Sequence, residues 1–331
     1  MAGGVLAKGG IIGVDVGGTF TDLVMLDPDT GSIRMAKTAT TLDNQAFGFL
    51  NALKAAGCDL AALGLIVHGT TTTTNAVLER KLSKTGLITT LGFRDILELG
   101  RRTRPQPYGM KGEFTPIIPR NLRLEVPERM DCNGNILTQL DEAAVRNAAQ
   151  TLVDQGCESV VIHFLHAYAN PTHEQRAAAV VAEIWPNDHI TMGHALLSES
   201  REFERGVTAA ANAAVQPLLD RYIRRLVQEL QGGGYAGDVL VMNGNGGMVS
   251  PGRVAKGAAE TVLSKLLPDL AAGELVEGAD AFGGIHPDIP VVQVLKAGER
   301  IGWAYITSDF VSTTGYSGKL NERIHRHRNQ H

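Results

Sequence analysis

The sequence of 331 residues has few cysteines, no excess of basic charge and no long hydrophobic run. Its three cysteines, Cys58, Cys132 and Cys157, stand far apart, which excludes a disulfide framework or a zinc-binding spacing and fits a reducing compartment. The formal net charge of −4 leaves no basic footprint for nucleic acid or anionic lipid. No apolar run approaches the ~18 residues of a membrane span, and the N-terminus lacks a signal-peptide pattern. These absences predict a cytoplasmic protein without a nucleic-acid or membrane partner, and the length of the chain predicts roughly two domains.

Strand and helix patterns alternate along most of the chain, which predicts an α/β fold. Residues 11–41 contain three apolar runs joined by the turns GGTF and PDTG, so they predict an antiparallel three-strand meander. A helix is predicted over 43–56, and GLIVHGTTTTTNAVLERK then predicts a strand, a polar turn and a helix. Near the end of the chain, PVVQVLKAGERIGWAYITSD predicts two strands around a turn.

The clearest chemical signal is the turn between the first two strands, with the sequence DVGGTFTD. Two glycines let backbone N–H groups approach an anion because no Cβ is in the way, and two threonines add hydroxyl donors. Two carboxylates supply hard oxygen ligands for Mg²⁺, with Asp15 binding it through water and Asp22 as a second candidate. The predicted phosphate-binding residues are Asp15, Gly17, Gly18, Thr19, Thr21 and Asp22. A hairpin with conveniently placed glycines is the alternative interpretation.

Three other polar segments are candidates for a substrate cleft. The first is a threonine-rich turn at a predicted helix N-terminus, where free N–H groups favour anions, although helix capping explains it equally well. The second is an arginine cluster suited to a carboxylate or phosphate, for which a solvated loop is the favoured alternative. The third is the NGNGG turn, which a plain strand-end turn also explains. The candidate residues are Thr70, Thr71, Asn75, Arg101, Arg104, Asn243, Gly246 and Gly247. No catalytic residue is assigned.

Two histidines, His163 and His166, lie three residues apart in the apolar segment SVVIHFLHAY. On one extended strand, residues three apart face opposite sides of the sheet. The spacing therefore favours structural histidines over a pair of metal ligands.

The sequence VDVGGTFTD resembles the first phosphate motif of the actin and sugar-kinase ATPase superfamily, and in detail the N-terminal region of the hydantoinase A, oxoprolinase and acetone carboxylase family. The segments HGTTTTTNAVLERK, GLITTLGFRDILELGRRTRP, LHAYANPTHE, LSESREFERGVTAAANAAVQP and VMNGNGG follow in the family's order, so the resemblance covers about residues 9–264. It implies an actin-like (ribonuclease H-like) ATPase domain at 1–185, in which the meander leads a mixed sheet. It also implies the start of a second, truncated ATPase domain at 186–264.

The resemblance also implies an activity. Members of the family use ATP to phosphorylate a cyclic amide carbonyl and so activate it for ring opening, or they carboxylate a ketone. ATP and Mg²⁺ are therefore the expected cofactors. A small cyclic amide or ketone is thus the expected substrate, and a hydantoinase B-type subunit is an expected partner. The family's second phosphate strand does not appear after Ser264, so the chain is expected to be an incomplete ATP-dependent hydrolase. A non-catalytic nucleotide-binding remnant or fusion product is the alternative, and a sugar-kinase-like phosphotransferase is a weaker one.

A second resemblance concerns residues 265–319. GWAYITSDFV followed by GYSGK resembles the start of the FMN-binding domain of the nitrous-oxide-reductase regulator family. The flavin-carrying threonine motif of that family is missing, so bound FMN is not expected. The polar ending at 320–331 has no apolar periodicity and is predicted to be a disordered tail.

Overall fold

The computed structural model of the chain describes residues 9–17, 19–41, 45–99, 115–243, 247–261, 292–296 and 299–304. These residues group into two compact α/β units. The first unit takes in the described residues of Met1–Asn75, Arg221–Val254 and Ala279–His331, and the second those of Ala76–Asp220 and Ala255–Gly278.

Strands and helices alternate along the described residues much as the sequence predicts. The strands are β1 (Gly10–Val16), β2 (Phe20–Leu26), β3 (Ile33–Ala39), β4 (Leu63–Thr70), β5 (Thr85–Thr90), β6 (Arg123–Val126), β7 (Arg129–Met130), β8 (Ile136–Thr138), β9 (Ser159–His163), β10 (Ile190–Met192), β11 (Asp238–Met242), β12 (Met248–Val249), β13 (Val292–Lys296) and β14 (Glu299–Ala304). The α-helices are α1 (Gln45–Ala55), α2 (Thr72–Leu78), α3 (Ile96–Leu99), α4 (Glu142–Asp154), α5 (Thr172–Ala182), α6 (Gly193–Leu196), α7 (Glu202–Gly232) and α8 (Pro251–Val254). Short 3₁₀ helices cover Leu60–Ala62, Arg120–Leu122 and Ala258–Thr261.

The first unit is built on a six-stranded mixed sheet in the order β12-β11-β4-β1-β2-β3. β1, β2 and β3 form the predicted antiparallel meander, while β1 pairs in parallel with β4, and β4 in parallel with β11. Alternate residues of β1 are buried, as expected when one face of a strand packs on a core. That core consists of Ile12, Val14, Val16, Leu23, Met25, Phe49, Ala52, Leu53, Leu63, Ile66, Leu226, Leu230 and Tyr235.

The second unit contains a four-stranded parallel sheet in the order β10-β9-β5-β6. Every residue of β5 and β9 is buried, which is typical of parallel strands covered on both faces. The helix α4 begins after Asp141, whose side chain accepts a 2.9 Å hydrogen bond from the backbone N–H of Ala144 and so caps the helix N-terminus.

The domains predicted to end at 185, 264 and 319 stay a prediction, and the two compact units interleave along the chain. The reason is the pairing of β11 with β4, which brings residues 221–254 into the first sheet. The first sheet is therefore completed by a segment more than a hundred and fifty residues downstream of β4. The boundary predicted after Ser264 falls outside the described residues.

A buried polar cluster ties the second unit together around Glu174, whose side chain is fully buried on α5. Its Oε1 accepts a 2.8 Å hydrogen bond from the backbone N–H of Phe164. Its Oε2 accepts one of 2.9 Å from the backbone N–H of His194 and lies 2.6 Å from Nδ1 of the same residue. One carboxylate thus joins the end of β9 to the start of α6.

His163 and His166 do not share a strand. β9 ends at His163, and His166 lies in the turn that follows, with a positive φ of 57°. The prediction that both histidines lie on one extended segment was therefore wrong, because the chain leaves the sheet between them. Burial lowers the pKa of His163 to about 4, so its ring is neutral at neutral pH.

Two further findings concern the hairpin near the end of the chain and the character of the described helices. β13 and β14 pair as an antiparallel hairpin, which confirms the two strands predicted near the end of the chain. None of the described helices has the combination of length and apolar character that crossing a lipid bilayer requires.

Candidate functional site

The turn between β1 and β2 is closed by its own backbone. The N–H of Gly17 donates a 3.0 Å hydrogen bond to the carbonyl of Phe20, and the N–H of Thr40 donates one of 2.9 Å to the carbonyl of Thr19. A Cβ on Gly17 would lie 3.1 Å from the Phe20 oxygen, so a glycine is favoured there. Thr19 is exposed to solvent, as a ligand-contacting residue must be, while Gly18 lies outside the described residues.

Thr21 has a different place from the other predicted phosphate residues. Its side chain is fully buried, and its Oγ1 lies 3.0 Å from Oγ1 of Thr40. The hydroxyl of Thr40 donates a 2.9 Å hydrogen bond to the carbonyl of Gly17, so Thr21 is the donor of the pair. The Thr21 hydroxyl is used inside the protein, where it fixes the shape of the turn instead of facing a ligand.

Asp15 and Asp22 stand directly opposite each other across the β1–β2 pair. Gly69 pairs with Asp15 from the other side, in β4. A Cβ on Gly69 would lie 3.2 Å from Oδ1 of Asp15, so the glycine leaves the room that the carboxylate occupies. Because directly opposed residues have Cβ atoms about 4.5–5.5 Å apart, the two carboxylates are neighbours beside the turn.

The electrostatics of this pair favour a bound cation. Burial, and next the negative charge of Asp22, raise the pKa of Asp15 from 3.8 to about 6, and no cation of the described residues offsets these effects. Burial raises the pKa of Asp22 as well, although a hydrogen bond from Lys37 opposes that shift. The described part of the chain contains no group of three or more His, Cys, Asp or Glu side chains placed to hold a metal ion. A cation bound at this pair would take one or two carboxylate ligands and complete its coordination with water or phosphate oxygens, as Mg²⁺ usually does.

The threonine-rich turn between β4 and α2 lies next to the end of β1. The backbone N–H and the hydroxyl of Thr71 both donate 3.3 Å hydrogen bonds to the carbonyl of Val16. The side-chain amide of Asn75 donates a 3.4 Å hydrogen bond to the Thr71 hydroxyl. Thr71 and Asn75 thus hold the two turns together, which is closer to the capping alternative than to a free anion site.

A buried hydrogen-bonded group on the core face of the sheet supports the same turn. The Tyr222 hydroxyl lies 2.9 Å from Nε2 of His68, and it also forms a side-chain hydrogen bond with Thr70. Oγ1 of Thr70 in turn lies 2.6 Å from Oγ1 of Thr72, the first residue of α2. Burial lowers the pKa of His68 to about 4, so the ring is neutral at neutral pH. The sequence pattern does not indicate this group, because Tyr222 and His68 are 154 residues apart.

Replacing Tyr222 with phenylalanine is expected to destabilise the first unit by about 1–3 kcal/mol, because Nε2 of the buried His68 loses its partner. The ring volume is kept, so the loss reflects the hydroxyl alone. Urea unfolding of the two proteins measures the difference. Equal unfolding midpoints and slopes would show that the hydrogen bond contributes nothing.

The remaining sequence candidates divide between described and undescribed residues. Asn243 directly follows β11, is buried, and donates a 2.7 Å backbone hydrogen bond to the carbonyl of Gly247. Gly246, Arg101 and Arg104 lie outside the described residues. Since β1, β4 and β11 run parallel, the turns that follow all three strands meet at one edge of the sheet. Ligands of α/β proteins bind at such an edge, outside the carboxyl ends of the strands.

Comparison with known protein families shows which family this chain belongs to. The hydantoinase/oxoprolinase N-terminal region matches residues 11–185, and the hydantoinase/oxoprolinase family matches residues 205–265. The chain belongs to the hydantoinase/oxoprolinase family. The resemblance seen in the first 264 residues is thereby confirmed, while the FMN-domain resemblance of 265–319 stays a prediction.

Individual relatives of this hydantoinase/oxoprolinase chain are enzyme subunits. The acetophenone carboxylase gamma subunit of Aromatoleum aromaticum is 33% identical over 71% of this chain and 35% of its own length. The caprolactamase subunit alpha of Pseudomonas jessenii is 30% identical over 74% of this chain and 36% of its own length. The chain therefore spans about a third of the length of these relatives.

The solved structures give the same result for the fold. Acetone carboxylase, in a nucleotide-free structure described with a mechanism of ATP-dependent acetone carboxylation, superposes with a TM-score of 0.68 at 26% identity. The match covers 79% of this chain and 39% of the acetone carboxylase chain. The predicted actin-like α/β fold of this hydantoinase/oxoprolinase chain is thereby confirmed.

Proposed function

We propose that the turn after β1 binds the phosphates of Mg·ATP and that the chain is part of an ATP-dependent hydrolase of the hydantoinase/oxoprolinase type. The observation that carries this proposal is Asp15, a largely buried carboxylate opposed by a second carboxylate and paired with no described cation. A buried charge of this kind is costly unless a cation is bound beside it. Its position next to a glycine turn makes a phosphate-bound Mg²⁺ the fitting cation.

The residues of the turn fit this ligand. Glycines at 17 and 69 leave space that a Cβ would fill beside the strand end and beside Asp15. The N–H of Gly17 is used within the turn, so we assign the backbone N–H groups of Gly18 and Thr19 and the hydroxyl of the exposed Thr19 to the phosphates. Asp15 would hold Mg²⁺ through water, and Thr21 would shape the turn from within.

In the proposed reaction, bound ATP supplies the phosphoryl group that activates a cyclic amide carbonyl for ring opening by water. The turn contributes by orienting the phosphates and by offsetting their charge with fixed N–H dipoles. The caprolactamase relative supports a cyclic amide as the substrate, and the carboxylase relatives support a ketone as the second candidate. Since these relatives are subunits, we further propose a partner subunit of the hydantoinase B type. We also propose a cytoplasmic location, which the three dispersed cysteines favour.

Isothermal titration of this chain with Mg·ATP tests the proposal directly. We expect saturable binding with a micromolar dissociation constant, and clearly weaker binding when EDTA removes the divalent cation. The matched control is titration with adenosine in the same Mg²⁺ buffer, since adenosine lacks the phosphates. Absence of heat with Mg·ATP, or equal affinity with and without EDTA, would contradict the assigned site, and absence of heat would leave the inactive fusion product as the alternative.

A further inference from the structure

Lys37 extends the row of paired residues that contains the proposed cation ligand. Asp15 is opposed by Asp22 in β2, and Asp22 is opposed by Lys37 in β3, each directly in register. Residues directly opposite on neighbouring strands project from the same face of a sheet. Asp22 therefore lies between a carboxylate on one side and an ammonium group on the other.

Both carboxylate oxygens of Asp22 lie close to the ammonium group of Lys37. Nζ of Lys37 lies 3.2 Å from Oδ1 and 3.3 Å from Oδ2 of Asp22, so the ammonium group engages both carboxylate oxygens. The Asp22 side chain is only 12% exposed, and the Lys37 side chain 34%. The ammonium group also lies 4.8 Å from the ring centre of Phe20, which limits where it can go. Because the ammonium group contacts both oxygens, it holds the Asp22 carboxylate on the side of β3.

We propose that Lys37 is a positioning residue, which holds Asp22 away from the cation and leaves Asp15 as the one carboxylate of this opposed pair that serves it. This inference rests on the proposed function, because it concerns the same site. The affinity of an oxygen site for a divalent cation rises with the number of charged ligands. With Asp22 held by Lys37, the site lacks the charge to bind a free cation tightly, and the phosphates of the nucleotide supply the rest. The pair thus makes cation binding depend on the nucleotide.

The test is a titration with Mn²⁺ in the absence of nucleotide, followed by the loss of the electron paramagnetic resonance signal of the free ion. It is done at mildly alkaline pH, where both carboxylates are ionised. Lys37→Met keeps an unbranched side chain and removes the charge. We expect Lys37→Met to bind Mn²⁺ about tenfold more tightly than the unmodified chain, because Asp22 becomes a second carboxylate ligand.

Three matched variants give the inference its specificity. Lys37→Arg keeps the cation and is expected to restore the weak binding of the unmodified chain. Asp22→Asn alone is expected to lower Mn·ATP affinity less than Asp15→Asn does, whereas the double variant Lys37→Met with Asp22→Asn should lose the gain in Mn²⁺ affinity that Lys37→Met shows. A merely structural role of Lys37 would weaken binding in Lys37→Met and could not produce a gain that Asp22→Asn abolishes.

Two outcomes would overturn the inference, and a third would contradict the proposed function instead. Unchanged or weaker Mn²⁺ binding by a folded Lys37→Met protein overturns the inference. So does a loss of Mn·ATP affinity in Asp22→Asn as large as that in Asp15→Asn, a comparison that stands even if Lys37→Met fails to fold. Failure of the unmodified chain to bind Mn·ATP at all would instead contradict the proposed function, so the two failures are distinguishable.

Discussion

Replacing Asp15 with asparagine is expected to lower the affinity for Mg·ATP by about 100-fold, a loss of ~2.7 kcal/mol in binding free energy. The variant keeps the size of the side chain and removes the charge that we assign to the cation. Without nucleotide or cation, the same variant is expected to be more stable than the unmodified protein at neutral pH. The two effects have opposite signs, which a general disruption of the fold cannot produce.

The gain in stability has a definite pH dependence. The pKa of Asp15 is raised from 3.8 to about 6 in the folded protein, so ionising this group there costs free energy relative to the unfolded chain. The penalty is absent below pH ~4, grows as the pH rises to ~6, and is constant above that value. At 1.36 kcal/mol per pKa unit, its size is ~1–3 kcal/mol. The advantage of Asp15→Asn should therefore be full at neutral pH and disappear on acidification.

Urea unfolding in EDTA across this pH range and calorimetric titration with Mg·ATP measure the two effects. Asp29→Asn is the matched control, since it removes an exposed carboxylate from the turn after β2. We expect it to change neither quantity. Unchanged Mg·ATP affinity in Asp15→Asn would remove Asp15 from the site, and lower stability at neutral pH would show that its carboxylate has a favourable partner.

The elements of the first sheet could be predicted because their signals are local. The turns GGTF and PDTG join strands that are neighbours in sequence, so the meander follows from residues 11–41 alone. The position of Thr21 could not be predicted, since a hydroxyl two residues from the glycines has the right chemistry for a phosphate. Only its bond with Thr40, nineteen residues away, shows that it faces the interior.

The sequence analysis does not single out Lys37, although its position opposite Asp22 could have been predicted from the sequence. The turn after Asp27 is closed by the hydrogen bond from its N–H to the carbonyl of Ser32, and this fixes the register of β2 on β3. Counting outward from that turn places Lys37 opposite Asp22. The partnership of β11 with β4 has no such local signal, because nothing in either strand specifies a neighbour so distant in sequence.

Replacing Glu174 with alanine is expected to destabilise the second unit by about 3–5 kcal/mol, the largest effect on stability that we predict. The change removes the acceptor of the buried N–H of Phe164 and of the partly buried N–H of His194, and it leaves a cavity beside them. The N–H of Phe164 then carries the cost of an unmade buried hydrogen bond.

Two comparisons separate this loss from a general effect of removing a carboxylate. Glu174→Gln keeps an oxygen and the volume of the side chain, so we expect a smaller loss. Glu142→Ala also removes a carboxylate with a close partner, since Glu142 lies 2.6 Å from Arg176. This pair lies on the surface, where water replaces the lost carboxylate, so we expect a small loss of stability. Urea unfolding followed by the fluorescence of Trp185, with Trp303 replaced by phenylalanine, reports on the second unit. Equal losses in Glu174→Ala and Glu142→Ala would show that burial of the Glu174 hydrogen bonds is not the source of their strength.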